Sequence, residues 1–459
     1  MPTSFRTVPS RSAREPVMSE RITISPTVAA QRDRFAARRA GLPGVGRSAI
    51  DRRREAGMAR FESLGLPTRK LEAWKYTDLR RLEKFSFASA APDELAVPEA
   101  LRGFIPAQGP SMVFVNGQLR PDLSHYDDLP AGLRLDGYAA ALEDGDADVE
   151  SRFAAAADAA SMVELNTALV DDGAVLRIAA GAVIETPIRL VFLSAPGEAP
   201  VASHSRILIL AGANSQATVI ESYHGTDNAG YFTNAVGEAE IGDGARLRHY
   251  RRQSEGLQAV HLVNGRVRIG RDATYDSFTL SLGADLARTE VTATFAGTGG
   301  NGHVTGAYLA DGNRHIDTTT LIDHAVPDCR SREVFKGVLD DKGRGVFQGK
   351  IIVRRDAQRT DGYQLNRALM LSRTAEIDSK PELEIYADDV KCSHGATIGE
   401  LDSAALFYLR SRGIDERTAR AMLVEAFLRE ALEEIADEAI RDEFGAAVEL
   451  WLAGRHQEA

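Results

Sequence analysis

The sequence predicts a mainly-β protein with a core of stacked β-coils, a β-solenoid, flanked by helical regions on both sides. From Gly173 to about Val390 the chain has few helical periods and many short Val, Ile, Thr, Leu and Phe runs separated by Gly, Asn and Asp, which is typical of short strands. A small-residue motif recurs inside this region. Amphipathic helical patterns occupy the flanking segments.

The repeat consists of an isoleucine followed, three residues later, by a Gly-Ala or Asp-Ala pair. Its copies begin at Ile178, Ile209, Ile241 and Ile269, and their alanines lie 31, 32 and 28 residues apart. A tight corner at such an interval indicates coils that stack and pass their backbone hydrogen bonds to the next coil. A β-sandwich with regularly spaced turns is the alternative that this pattern leaves open.

The sequence divides into four predicted segments. Residues 1–26 are rich in Arg and Ser and are expected to be a disordered tail, unless translation begins at Met18. Residues 27–160 form an N-terminal helical and mixed region, and residues 161–395 form the β-solenoid core. Residues 396–459 form a C-terminal helical domain.

The N-terminal region has two charged helical patterns, Gln31–Arg39 and Ser48–Ser63. Trp74 and Tyr76 lie among charged residues, and we expect them to anchor a helix to the core. Met112–Gly117 is predicted to be a strand and a turn.

The C-terminal domain begins with a helix that Asp402 or Ser403 can cap and that Gly413 ends. A second helix starts near Asp415. Its predicted apolar stripe comprises Ala419, Met422, Leu423, Ala426 and Phe427. This stripe needs a surface to pack on, which is either the end of the solenoid or another subunit.

Composition narrows the possible partners and the compartment. The 459 residues include 66 acidic and 55 basic side chains, a net charge of −11, which argues against a general affinity for nucleic acids or anionic membranes. No stretch approaches the roughly 20 apolar residues that span a bilayer. Two cysteines cannot form a disulfide framework, so a reducing cytoplasm is expected.

The run Lys391–Thr397 contains the side chains best suited to bind a soft metal ion or sulfur. Cys392 and His394 are a thiol and an imidazole one residue apart, and in an extended chain they point to the same side, where both can face one soft metal ion. A tetrahedral Zn or Fe–S site takes four protein ligands. The others must come from a carboxylate such as Glu400, a distant histidine, or a second polypeptide.

Nucleotide hydrolysis by this chain is excluded by the run Gly343–Ile351. It superficially resembles a phosphate loop, but the pattern requires a glycine five positions before Gly349 and a Ser or Thr after the lysine. Arg344 and Ile351 occupy those positions. ATP, if it is used, is hydrolysed by another protein.

A nucleophilic Cys392 activated by His394 and Lys391 is a second enzyme hypothesis, since such neighbours could lower the pKa of the thiol. Side chains at i and i+2 of a strand lie about 6 to 7 Å apart, too far for direct proton transfer. We therefore do not expect an enzyme. Cys329 follows His324 closely, but a single cysteine in a β core is more often a small buried apolar residue.

Further motifs lie between about Asp323 and Phe427. They are Phe335–Val338, Gly345–Ile351, Gln364–Leu371, Lys380–Ile385, Asp389–Thr397 and Leu406–Gly413. With these motifs the chain resembles the SufB/SufD proteins of the SUF iron-sulfur cluster assembly machinery. Its Glu72–Thr77 segment is similar to the SufD branch, whereas SufB has a longer leader and more cysteines.

The resemblance implies a right-handed parallel β-helix that pairs with a SufB-like β-helix protein and docks a SufC-like ATPase. It also implies a non-catalytic scaffold subunit, with a transient iron-sulfur cluster shared with the partner and no nucleotide bound by this chain. By position, the histidine at that interface is His394. Cys392 is a further ligand or shapes the interface, and a homodimer is possible in isolation.

The resemblance assigns the binding of the ATPase to the C-terminal helices. The residues expected there are Leu406, Phe407, Tyr408, Arg410, Arg412, Met422 and Phe427. Two alternatives stay open: a SufB-like subunit that accepts sulfur itself, for example on Cys329, and a stand-alone Cys-dependent sulfurtransferase.

Overall fold

The computed structural model describes residues 25–87, 96–154, 160–227 and 229–454. Residues 1–24 of the predicted tail lie outside the described residues. The strands are β1 (Ser111–Val115), β2 (Gln118–Leu119), β3 (Leu133–Gly137), β4 (Asp172–Ile178), β5 (Ile188–Ser194), β6 (Val201–Ala211), β7 (Gln216–Gly225), β8 (Tyr231–Ile241), β9 (Arg246–Ser254), β10 (Ala259–Ile269), β11 (Thr274–Ser281), β12 (Leu286–Phe295), β13 (Asn301–Ala310), β14 (His315–His324), β15 (Arg330–Leu339), β16 (Arg344–Val353), β17 (Asp361–Met370), β18 (Glu376–Ile385) and β19 (Lys391–Gly399). The helices are α1 (Pro26–Arg38), α2 (Ser48–Leu64), α3 (Glu99–Arg102), α4 (Tyr138–Asp144), α5 (Ala147–Ala154), α6 (Ser161–Leu169), α7 (Ser403–Ser411), α8 (Glu416–Leu432) and α9 (Glu438–Gly454).

The strands form two parallel sheets that enclose one interior. From β4 onward, even-numbered strands lie in a nine-stranded sheet that ends at β18, and odd-numbered strands lie in a ten-stranded sheet that ends at β19. Each strand pairs in parallel with the strand two places later, for example β15 with β17 and β17 with β19. This arrangement is a β-solenoid, as predicted, and it excludes the β-sandwich.

The corners of the coils explain the repeat. The left-handed residues there are Gly181 (φ 73°), Asn214 (φ 57°), Gly244 (φ 68°) and Asp272 (φ 53°). In the second copy, the residue that pairs in register with Ile178 is Ala211, so the alignment on Ile209 was displaced by two residues. The displacement arose because Asn tolerates the left-handed conformation and can replace Gly at that corner.

The N-terminal region contains both predicted helices, α1 and α2. The predicted strand at Met112 is β1, which pairs in parallel with β5 and so extends the ten-stranded sheet. Trp74 is half-buried among the apolar side chains of this region, and the Arg288 guanidinium lies 4.1 Å from the centre of its ring. The segment is therefore anchored on the nine-stranded sheet.

The C-terminal helices begin where the sequence indicated. The Asp402 carboxylate accepts a hydrogen bond from the Ala404 amide at 2.8 Å, and the Asp415 carboxylate accepts one from the Thr418 amide at 3.0 Å. Gly413 follows α7 with a φ of 85°.

The apolar stripe predicted for α8 was wrong in part. The buried residues of this helix are Ala419, Val424, Leu428, Ala431 and Leu432, whereas Met422 is 43% exposed. Val424, Leu428, Ala431 and Leu432 also follow helical spacing, so α8 has two apolar stripes. The second stripe packs on the ten-stranded sheet. Of the predicted stripe, Ala419 is buried and Phe427 is half-buried against the sheet, whereas Met422 and Ala426 are exposed.

The interior is mostly apolar but also holds buried polar groups, among them His324 near the C-terminal coils. His324 is fully buried; its ring stacks on Phe295 with centroids 4.4 Å apart, and its Nε2 lies 2.9 Å from the Ser331 hydroxyl. Burial lowers the pKa of His324 to about 4, because an apolar environment disfavours the charged imidazolium. The folded protein therefore holds this residue neutral at physiological pH.

This burial predicts a loss of stability in acid. An unfolded histidine takes up a proton near pH 6.5, whereas folded His324 does so only near pH 4. Its contribution is complete above pH 6.5 and is lost as the pH falls toward 4, by on the order of 3 kcal/mol. We expect the difference in unfolding free energy between wild type and His324→Gln to shrink by about that amount between these pH values, as measured by urea denaturation.

His303→Gln is the matched control. His303 is partly exposed and pairs with Asp276 at 2.8 Å, and this hydrogen bond raises the pKa of His303. Its stabilisation is present at low pH and is lost as the pH rises, which is the opposite sign. A difference for His324→Gln that does not change with pH would contradict the burial argument.

Candidate functional site

The Cys-Ser-His run lies on β19, the last strand of the ten-stranded sheet. β19 pairs with β17 on one side, and no strand of the described residues pairs with its other side. The Lys391 amide donates to the Thr360 carbonyl at 2.8 Å, and because the backbone groups of alternate residues in a parallel strand point to opposite sides, the amide and carbonyl of Cys392 and His394 point away from β17. These groups form an open hydrogen-bonding edge.

The two side chains share one face of β19, as predicted. Cys392 pairs in register with Gly362 and His394 with Gln364, and both partners are buried on the interior face of β17. Cys392 is half-buried against the core, and His394 is exposed. His394 therefore sits at the mouth of the solenoid interior and is open to a partner.

Cys392 is not an activated thiol. A side chain on Gly362 would bring its Cβ 3.4 Å from the Cys392 Sγ, so the thiol lies over that glycine. Burial raises the pKa of Cys392, and the hypothesis of a pKa lowered by Lys391 and His394 was wrong because desolvation of the thiol is the largest effect.

Cys329 is fully buried in the solenoid core, as predicted. Its Sγ lies 3.4 Å from the Pro327 carbonyl and 3.5 Å from the Gly297 carbonyl, and burial raises the pKa of its thiol. A thiol in this environment is poorly placed to accept sulfur from another protein.

The other terminal strand, β18, offers a weaker edge. The Glu376 amide donates to the carbonyl of Gly343, just before β16, at 3.0 Å, and the Tyr386 amide donates to the carbonyl of Val353, the last residue of β16, at 2.8 Å. The odd-numbered residues of β18 therefore face outward. Pro381 is one of these and has no N–H to donate. The row of outward donors is therefore interrupted on β18.

The residues predicted to bind the ATPase lie largely on exposed helix surface. In Ser403–Ser411, which is α7, no residue is buried. Phe407 is 74% and Tyr408 57% exposed, and the Arg412 guanidinium lies 5.1 Å from the Tyr408 ring. Leu406 is half-buried and Arg410 is exposed, so α7 presents apolar and cationic groups on one short helix.

Phe427 has a different environment from these residues. It is half-buried, and the Lys336 ammonium and the Arg367 guanidinium lie 4.9 and 5.8 Å from its ring centre. The Lys336 Nζ also donates to the Phe427 carbonyl at 3.3 Å. The side chain thus connects α8 to strands β15 and β17 of its own chain.

Two residues near the site were missed by sequence analysis. Glu333 and Gln364 are fully buried on the interior faces of β15 and β17, and the Gln364 Nε2 donates to Glu333 Oε2 at 2.7 Å. The signal that could have found them is the pair Gln364 and Asn366, which places two amides on one face of a strand in a mostly apolar core.

The Glu72–Thr77 segment crosses the outer face of the nine-stranded sheet toward the same end. The Ala73 carbonyl accepts hydrogen bonds from Arg288 on β12 at 2.8 Å and from Gln348 on β16 at 3.2 Å. Glu72 contacts Lys380 on β18. These contacts explain why polar residues lie beside Trp74 in this segment.

Two kinds of feature are absent from the described parts of the chain. There, no group of three or more His, Cys, Asp or Glu side chains is placed to hold a metal ion. No helix in residues 25–87, 96–154, 160–227 and 229–454 has the length and apolar character to span a bilayer.

Comparison with known proteins identifies the family. Residues 192–427 match the SUF system FeS cluster assembly, SufBD core domain, and residues 32–190 match the SufBD protein N-terminal region. An iron-sulfur cluster assembly SufBD family protein of Synechocystis is 32% identical over 404 residues, which cover 86% of this chain and 89% of that protein.

Two relatives are named SufD, the branch of the family that the Glu72–Thr77 segment resembles. The iron-sulfur cluster assembly protein SufD of Escherichia coli is 32% identical over 392 residues, covering 85% of this chain and 90% of its own. SufD of Bacillus subtilis is 28% identical over 294 residues, covering 64% and 67%. The chain belongs to the SufB/SufD family of SUF iron-sulfur cluster assembly proteins.

Proposed function

We propose that this chain is a SufD-like, non-catalytic scaffold subunit that joins a SufB-like β-solenoid protein through the open edge of β19. The observation that carries the proposal is the position of Cys392 and His394. Their side chains face the open mouth of the interior, and their backbone groups face the open edge. A partner strand that pairs there meets both donor groups.

The nascent iron-sulfur cluster is the product of this assembly, and it forms between the two chains. Two donors from this chain leave a four-ligand shell incomplete, so the partner supplies the remaining ones. His394 is the principal donor, because it is exposed and an imidazole binds metal in its neutral form. Cys392 must first lose a proton, which burial opposes, so it is the secondary donor.

β19 is the edge that binds the partner, in preference to β18. Its outward backbone groups from Cys392 to Ile398 are continuous, whereas Pro381 interrupts those of β18. An exposed edge strand is a template for pairing with another chain. In isolation the same edge can pair with a second copy, which gives a homodimer.

A SufC-like ATPase docks on α7 and the exposed face of α8. The exposed aromatic rings of Phe407 and Tyr408, with Arg410 and Arg412 beside them, have the composition of an interface centre. Met422 is exposed on α8 and extends this surface. ATP binding and hydrolysis take place in the partner, and this chain binds no nucleotide.

Movement of the ATPase can reach the cluster site through α8. Phe427 and Lys336 connect this helix to β15, and Arg367 connects it to β17, the strand beside β19. We propose that closure of two ATPase subunits pulls on these contacts, strains the paired solenoids and opens the interface to iron and sulfur.

The complex works in the cytoplasm. Within this chain, residues 1–26 are the tail, 27–160 the N-terminal region, 161–395 the core and 396–459 the ATPase-binding segment.

His394→Ala tests the cluster site. The variant should assemble with both partners but should form at least about tenfold less cluster, because the shared shell loses its principal donor. Cluster formation is measured in the anaerobic complex as bound iron and acid-labile sulfide. Ser393→Ala is the matched control, since this neighbour faces outward from the same strand; wild-type cluster yield from His394→Ala would refute the role of His394.

Phe407→Asp tests the docking surface. Loss of a buried ring weakens binding of the ATPase by roughly 10- to 100-fold or more, since burying such a side chain contributes about 1.5 to 3 kcal/mol. The dissociation constant is measured by calorimetry with the purified ATPase. Leu450→Asp is the control, because Leu450 is 69% exposed on α9; equal effects of both variants would place the ATPase elsewhere.

A further inference from the structure

A column of three polar side chains leads from the buried interior to the mouth of the solenoid. Glu333 pairs in register with Gln364, and Gln364 pairs with His394. In-register side chains on parallel strands stack in one direction, about 4.8 Å apart. The column therefore joins a buried carboxylate, a buried amide and the exposed imidazole of the proposed cluster site.

The orientation of the Gln364 amide is fixed by its buried neighbour. The Gln364 Nε2 donates to Glu333 Oε2 at 2.7 Å, and a carboxylate accepts only from the nitrogen end of an amide. Burial raises the pKa of Glu333 to about 7, so above that pH the ionised carboxylate can only accept, and it is the amide nitrogen that faces it. The oxygen end of the amide, Oε1, is thereby left to accept a hydrogen bond.

That oxygen has no partner among the described residues. A buried carbonyl oxygen without a donor destabilises the folded chain, so a donor in solution is expected. His394 is the next member of the column, and its exposed imidazole can rotate toward Gln364. The described part of the chain provides no other hydrogen bond or ion pair for this imidazole.

We propose that Gln364, held by Glu333, is a positioning residue that accepts a hydrogen bond from one ring nitrogen of His394 and so fixes which nitrogen carries the proton. The other nitrogen then presents its lone pair to the open edge. This inference rests on the proposed function for its purpose, since metal-binding histidines commonly donate their second N–H to an oxygen that fixes the tautomer. The hydrogen bond itself can be measured in the chain alone.

The space around the amide supports a specific position for it. A side chain on Gly349, across the interior, would bring its Cβ 2.3 Å from the Gln364 Nε2. The glycine therefore leaves the room that the amide occupies. A polar residue that served only to fill the interior would not need both this gap and a carboxyl anchor.

The first experiment is nitrogen NMR of the full-length chain with labelled histidine at about pH 8, where an ordinary imidazole is neutral. The His394 signals are assigned by their loss in His394→Ala. In wild type we expect a single tautomer of His394. In Gln364→Met, which keeps the size of the side chain but removes the acceptor, we expect a mixture of both tautomers.

A charge exchange provides the rescue. In Glu333→Gln/Gln364→Glu the amide at 333 can donate to the carboxylate at 364, whose second oxygen can accept from His394. We expect this double variant to restore the single tautomer. Thermal unfolding shows whether each variant is folded; if Gln364→Met is not, Glu333→Gln, which only removes the fixed anchor, carries the test and should also give a mixture.

The second experiment titrates the assembled complex with Fe²⁺ alone under anaerobic conditions. We expect Gln364→Met to weaken iron binding by roughly 10- to 100-fold, which is typical for loss of a residue that orients a ligand, and we expect the double variant to recover it. A folded Gln364→Met or Glu333→Gln variant in which His394 keeps the wild-type tautomer would overturn the proposal. Wild-type cluster yield from His394→Ala would instead refute the proposed function and leave the tautomer result standing.

Discussion

The structure depends on one constraint: every coil of a parallel solenoid must pair its backbone with the next coil, and the last coil has no successor. On β19 this constraint leaves the outward amides and carbonyls of Cys392 and His394 without a strand to pair with. The same incomplete coil keeps the His394 side chain exposed. A donor side chain and an edge for strand addition thus arise together from the end of the repeat.

Both thiols of the chain are less accessible than the His394 imidazole. Cys329 lies deep in the apolar core and its thiol is held protonated by burial. Cys392 is half-buried on the same face as His394, with its thiol over Gly362. The accessible donor is an imidazole rather than a thiolate, which suits the proposed shared cluster site better than a chain that accepts sulfur itself.

Much of this architecture could be predicted from the sequence, because small residues recur at the corners of the coils and so mark the stacking interval. The helix caps Asp402 and Asp415 were predictable for the same reason, since a cap is a local interaction. The packing of α8 was not: it has two apolar stripes, and only the position of the ten-stranded sheet decides that Val424 is buried and Met422 is not.

In the candidate site, too, local features could be predicted from the sequence, whereas features that depend on packing could not. The shared face of Cys392 and His394 follows from the alternation of a strand, but the raised pKa of Cys392 depends on how its thiol packs over Gly362, which no local pattern shows. The column beneath His394 joins residues about 30 positions apart in sequence, and its existence depends on the register of three strands.

The most direct measurement of the central claim is residue-resolved hydrogen exchange over Lys391–Gly399, in the chain alone and after addition of the SufB-like partner. The chain alone is measured at concentrations that keep it monomeric, since a homodimer through this edge would also protect it. If β19 is the pairing edge, the amides of Cys392, His394, Ala396 and Ile398 exchange rapidly in the monomer and at least about tenfold more slowly in the complex, while those of Lys391 and Ser393 are protected in both. Unchanged exchange at the outward amides in a fully assembled complex would contradict the account.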